Sequence, residues 1–192
     1  SGRLPMILST MRRLKAKIGD QTALYGLICG PFTLASHLRG SDIFMDMVTD
    51  SQYVKELVDF CAQVAIAMSD MYIEAGMDVI AVVDPLVSQI SPKHIEKMLS
   101  ESFTAVFDFI RAKGAFSCFF VCGNATKQIE VMCKMNPDGV SIDENVNLVT
   151  AKETTDKYNI ALGGNIPLTT TMLFGTQEDN MKCVIDLLDS VD

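Results

Sequence analysis

Tryptophan is absent from the 192 residues, and histidine occurs only twice, at His37 and His94. No Ser-His-Asp set and no G-x-S-x-G motif is present, which leaves a serine hydrolase without its parts. No G-x-G-x-x-G or Walker loop occurs either; Gly163-Gly164-Asn165 and Gly30-Pro31 lack the spacing that cradles a phosphate. The chain also has no C-x₂-C pair. Its six cysteines, at 29, 61, 118, 122, 133 and 183, are irregularly spaced in a chain of this length, so reduced thiols in a cytoplasm are expected rather than a disulfide scaffold. No apolar run approaches the roughly 20 residues of a membrane span, and Ser1-Gly2-Arg3-Leu4-Pro5 does not open a secretory leader. Basic residues are in deficit, 16 against 24 acidic, for a net charge of −8. Such a surface repels phosphate backbones, so neither nucleic acid nor membrane is an expected partner. Arg12-Arg13-Leu14-Lys15-Ala16-Lys17 reads as the solvated face of an amphipathic helix.

What is present is a core and an alternation. Apolar residues make up 48% of the chain, and twelve methionines give that core adaptable filling. Residues 3–18 carry apolar side chains at helical spacing. Then 23–29 reads as a strand buried on both faces, Pro31 to Leu38 as a short helix, and 51–75 as a long one stopped by Gly76. A second strand spans 78–83, and Ser91-Pro92 opens a helix expected to run to Lys113-Gly114. Strands at 115–121, 139–142 and 160–162 follow, with helices near 126–135, 147–157 and 177–190 between and after them. Five strands alternating with helices demand a parallel sheet. Each strand ends on small or polar residues, which suits a (β/α)₈ barrel of TIM type with its site on the carboxyl-end rim. Eight strands and about 250 residues are usual for such a barrel, so the expectation is one partial domain over 1–192.

The strand ends supply the candidate chemistry. Phe120-Val121-Cys122-Gly123-Asn124 puts a thiol, a glycine and an amide where α/β proteins place function. Cys118 lies four residues back on the same strand, about 13 Å away, and reads with Cys133 as packing. Asp84 before Pro85 and Asp143 before Glu144 end two further strands, and each has a turn role as its rival reading. Asn165 beside Gly164 ends the fifth strand. Arg39, after the short helix, has the fork that suits a carboxylate or a phosphate.

These segments resemble the uroporphyrinogen decarboxylase superfamily. The resemblance rests on Gly2-Arg3-Leu4-Pro5, Gly30-Pro31-Phe32-Thr33-Leu34-Ala35, Ala75-Gly76-Met77-Asp78, Asp84-Pro85 and Ile90-Ser91-Pro92. It continues through Val121-Cys122-Gly123-Asn124, Ser141-Ile142-Asp143, Gly164-Asn165-Ile166-Pro167 and Gly175-Thr176. It implies a (β/α)₈ barrel and two possible chemistries. One is corrinoid-dependent methyl transfer, in which zinc on a His-x-Cys pair and a further Cys presents a thiol to methylcobalamin. The other is decarboxylation of a porphyrinogen without a cofactor, in porphyrin and heme biosynthesis. Cys122 matches the Cys of the pair and favours the methyltransferase branch. Phe120 stands where that branch has His, and the third ligand would lie beyond Asp192. The resemblance implies Cys122, Asp84 and Asp143 as catalytic residues, with Gly30, Phe32, Asn124, Gly164, Asn165 and Arg39 around the ligand. A small-molecule or corrinoid-protein substrate and a homodimer complete the expectation. A non-catalytic corrinoid- or tetrapyrrole-binding role is the remaining alternative.

Overall fold

The computed structural model describes residues 2–191. Helix α1 (Leu4–Ile18) leads to β1 (Tyr25–Cys29), α2 (Pro31–Arg39), a 3₁₀ turn, α3 (Ile43–Thr49) and α4 (Ser51–Glu74). Then come β2 (Val79–Val83), a 3₁₀ segment (Pro85–Gln89), α5 (Pro92–Met98), α6 (Ser100–Ala112) and β3 (Phe116–Val121). Helix α7 (Ile129–Lys134), β4 (Gly139–Ile142), α8 (Leu148–Lys157), β5 (Ala161–Gly163), a π-helical segment (Leu168–Leu173) and α9 (Gln177–Asp189) close the order.

The five strands are parallel and lie in the strict order β1-β2-β3-β4-β5. A doubly wound sheet must reverse its order somewhere to put helices on both faces. This sheet never does. Its helices cover one face, where Ile28, Ile80, Val82, Phe119, Val121, Val140 and Ile142 join the main core. That arrangement is a stretch of barrel wall.

Register divides the other face into layers. Cys29, Val83, Phe120, Ser141 and Gly163 sit side by side at the carboxyl end; Leu27, Ala81, Cys118, Gly139 and Ala161 lie two residues below them. On β1 this face is bare: Tyr25 and Leu27 are each 60% exposed. The expectation of a strand buried on both faces therefore fails at β1, because only its helix-side residues Gly26 and Ile28 have a layer over them.

Three further departures have local causes. The helix expected from Ser91 to Lys113 bends at Leu99, a fully buried side chain with φ −117°, and the Ser100 hydroxyl bonds back to the Ile95 carbonyl. Helix α3 was not expected at all; Ile43 and Met47 bury its inner face. The helix expected from residue 126 begins at Ile129, since Asn124 Oδ1 takes the Thr126 N–H and hydroxyl into a side-chain turn.

At the opposite end of the sheet, Asp78 ties α1 down. One oxygen meets Lys15 Nζ at 2.5 Å and the other accepts the Leu24 N–H at 2.9 Å. The core centres on Phe103, Phe107 and Phe119, whose ring centroids are 5.0–6.1 Å apart.

Candidate functional site

Side chains alternate across a strand, so parity decides which strand-end residues can meet on the open face. Phe120 and Cys122 share parity along β3 and just past its end, as do Ser141 and Asp143 along β4, while Asn165 follows β5 after Gly164, whose φ of +136° ends the alternation there. These residues lie toward one side of the rim. A cleft of ≈ 460 Å³ opens there, with Cys122, Asp143, Gly164 and Asn165 in its walls. Phe120, Ile142, Ile166, Leu168 and Met172 form the apolar part, and Ser141 and Glu144 complete the polar part.

Each polar group is fixed by backbone. Asp143 Oδ1 accepts the Asn145 N–H at 2.9 Å and is also bonded by the Asn145 amide group. Those bonds and one from the Gly123 N–H hold its carboxyl below the usual range, so it is ionised. Asn165 Nδ2 donates to the carbonyls of Val146 at 2.6 Å and Asp143 at 3.2 Å, pinning the 143–146 turn and leaving Oδ1 as its free polar atom. Glu144 accepts the Leu168 N–H and so bridges the turn to the π-helical segment. Gly123, at φ +84°, could not carry a Cβ without meeting Ser88 Oγ at 2.9 Å. Burial first, then the Asp143 charge, raise the Cys122 thiol above its ordinary value. Near neutral pH it is therefore a thiol, and a cation beside it would be needed to make a thiolate.

The other expected residues fall elsewhere. Asp84 has the parity opposite to Val83 and turns into the helix layer, where it is wholly buried. It accepts the Phe32 N–H at 2.9 Å, the Thr33 N–H at 3.1 Å and the Thr33 hydroxyl at 2.6 Å, and so caps α2. Both oxygens are engaged and the group is closed off from the rim, which corrects the expectation of a ligand contact. Gly30 is small to admit Asp84, not a ligand: a Cβ there would lie 2.4 Å from Asp84 Oδ2. Phe32 is fully buried, edge-on to Phe44 at 6.0 Å. The Arg39 fork is taken by Asp46, with Nε–Oδ2 at 2.7 Å, and by Asp42 at 3.7 Å. Asn124 faces a neighbouring groove with Ser88, Ser91 and Lys127. Cys118 is buried on β3, 3.3 Å from Ser141 Oγ, and Cys133 is buried in α7, as packing requires. Ser141, Glu144 and Met172 were missed. Parity with Asp143 would have found Ser141; nothing in the sequence announces the π-helical segment that brings Met172.

A zinc site of the kind the resemblance implies does not fit this cleft. It offers one thiol, Phe120 has no donor atom, and no three His, Cys, Asp or Glu side chains among the described residues are grouped to hold a metal. Nor is any helix of the described residues long and apolar enough to cross a membrane.

The family described as Uroporphyrinogen decarboxylase (URO-D) matches residues 1–192. A methylcobamide:CoM methyltransferase, MtbA, of Methanosarcina acetivorans is 30% identical over 98% of this chain and 56% of its own length. A uroporphyrinogen decarboxylase of Picosynechococcus is 27% identical over 95% of this chain and 54% of its own length. Among solved structures, a methyltransferase from Methanosarcina mazei superposes with a TM-score of 0.92 at 23% identity, covering 99% of this chain and 56% of that one. The chain thus spans about half the length of the curated relatives it matches.

Proposed function

Because this chain belongs to the uroporphyrinogen decarboxylase family, we propose that it is the rim-bearing part of a methyltransferase that moves a methyl group between a corrinoid and a small thiol. The observation that carries the reading is the meeting of Cys122, Asp143 and Asn165, from three consecutive strand ends, in one half-apolar cleft. In such a transfer the acceptor thiol gives up its proton, its sulfur bonds to the methyl carbon, and the carbon–cobalt pair stays with the corrinoid.

The residues of this chain act around the acceptor. Cys122 contacts the reacting sulfur from the end of β3. Asp143, ionised and fixed by three N–H groups, orients the polar part of the acceptor. Asn165 holds the turn that carries Asp143 and presents its carbonyl oxygen. Phe120, Ile142 and Ile166 keep water from the sulfur. A cytoplasmic setting suits the six free cysteines.

Carboxylates without neighbouring cations would also suit the pyrrole N–H groups of a porphyrinogen, which supports decarboxylation as a second reading. The test is made on protein containing the complete barrel. Methylcobalamin and a thiol should yield the thioether, followed by loss of the methylcobalamin absorbance. No thioether, together with carbon dioxide released from a porphyrinogen, overturns the first reading for the second.

A further inference from the structure

Gly123, next to Cys122, is held from two sides. Its N–H donates to Asp143, and it packs on Ser88, whose Oγ lies 2.9 Å from the place a Cβ would take. Ser88 belongs to the 3₁₀ segment that follows β2, and Gln128 at the start of α7 fixes that segment. Gln128 Nε2 donates to the Ile90 carbonyl at 2.8 Å and to the Ser88 carbonyl at 3.3 Å. Among the described residues, no other hydrogen bond reaches residues 85–90 from another element. Gln128 is only 6% exposed, and its Oε1 is buried with no protein partner. An unpaired buried acceptor is costly, and the opposite amide orientation would set that oxygen against two carbonyls. What the amide contributes here is its pair of N–H groups.

We infer that Gln128 is a positioning residue for Cys122: by clamping the loop after β2 it seats Ser88 against Gly123, and so fixes the turn that aims the thiol into the rim cleft. The inference rests on the reading of Cys122 as the group that meets the reacting sulfur. Both loops belong to this chain, and β2 and β3 each have a paired strand on either side, so the clamp is complete within these residues. Without it Ser88 withdraws, Gly123 loses the surface that opposes its bond to Asp143, and water gains the half-buried sulfur of Cys122.

Site-resolved alkylation, read by mass spectrometry, reports the seating of the thiol without the reaction. In protein containing the complete barrel, iodoacetamide at one fixed pH should modify Cys122 roughly 3- to 10-fold faster in Gln128→Met than in the native protein, with the Cys183 rate unchanged. Ser88→Gly removes the surface behind Gly123 and leaves Gln128 in place. It should give the same increase, and the double variant no more than either alone. Where Gln128→Met does not fold, Gln128→Glu, which keeps the volume and removes the amide donors, is read in its place. An unchanged or slower Cys122 rate, or increases that multiply in the double variant, overturns the inference. Methyl transfer from methylcobalamin to a thiol is then measured on the same proteins. Gln128→Met should lower kcat about 10-fold or more with KM within about 2-fold. Faster alkylation at native kcat overturns the inference and leaves methyl transfer standing. The expected alkylation pattern in a native protein that methylates no thiol removes the methyl-transfer reading and leaves the clamp on Cys122 in place.

Discussion

Replacing Asp84 probes the joint between β2 and α2, where the fold and the strand-end pattern part company. Its carboxyl is wholly buried and receives two N–H groups and one hydroxyl from Phe32 and Thr33. In Asp84→Ala those donors lose their acceptor in a dry place. At about 1–3 kcal/mol for each buried unsatisfied group, partly relieved by local movement, the loss should be about 3–5 kcal/mol. Asp84→Asn keeps a carbonyl acceptor and should lose less. Burial, opposed by the Thr33 and Phe32 bonds, pushes the Asp84 carboxyl up to about 6. A folded value above the unfolded one means stability that is complete below the unfolded value of about 3.9 and lost as pH rises through the folded one. Between about pH 5 and 7 the native protein should therefore lose roughly 1 kcal/mol from this group alone. Asp84→Asn should lack that slope. Urea denaturation of both proteins across this window gives the difference directly. A flat difference, or an Asp84→Ala loss under about 1 kcal/mol, would refute the capping account.

Three other outcomes are expected. Phe119→Ala empties the contact among Phe103, Phe107 and the sheet, and should lower stability by about 3–5 kcal/mol in urea denaturation; under about 1.5 would mean that the aromatic cluster is not packed as described. Asn165→Ala frees the Asp143 and Val146 carbonyls, and should cost about 1–2 kcal/mol with faster amide exchange confined to residues 143–146; protection unchanged there would contradict its holding role. Asp78 is depressed by its Lys15 bond and then the Leu24 N–H, and Asp143 by the Asn145 and Gly123 N–H groups. Their contributions are present above the ordinary carboxylate range and vanish as pH falls through their folded values. Asp78→Asn should accordingly flatten the acid limb of the stability curve below about pH 4, and an unchanged limb would tell against the Lys15 anchor.

The sequence made the strands legible because each is a short apolar run stopped by Gly, Pro or Asp, and β4 falls on the expected residues. Helix starts were legible where a cap marks them: Ser91 accepts the His94 N–H, and Asn147 accepts the Thr150 N–H. The bend at Leu99 was not, since it follows from burial of one side chain among ordinary helix formers. For the site, strand-end position is readable from the residues, and direction follows from parity. Counting parity from Val83 sends Asp84 toward the helices, and counting from Phe120 and Ser141 sends Cys122 and Asp143 to the open face. Arg39 and Asn124 carry no such signal. Their partners, Asp46 on α3 and Thr126 in a local turn, are brought to them only in the folded chain. The bare face of β1 likewise depends on what lies over the sheet, which a strand's own residues do not record.

The account depends on Cys122 standing in the rim cleft as the group that meets the reacting sulfur. Thiol methylation by the complete barrel carrying Cys122→Ser, measured beside its melting curve, tests this most directly. The prediction is a rate lowered by roughly a hundredfold or more, with a melting temperature within about 2 °C of the native protein. Methylation at the native rate, or a large fall in melting temperature with the rate per folded molecule intact, would contradict it and make Cys122 a packing residue.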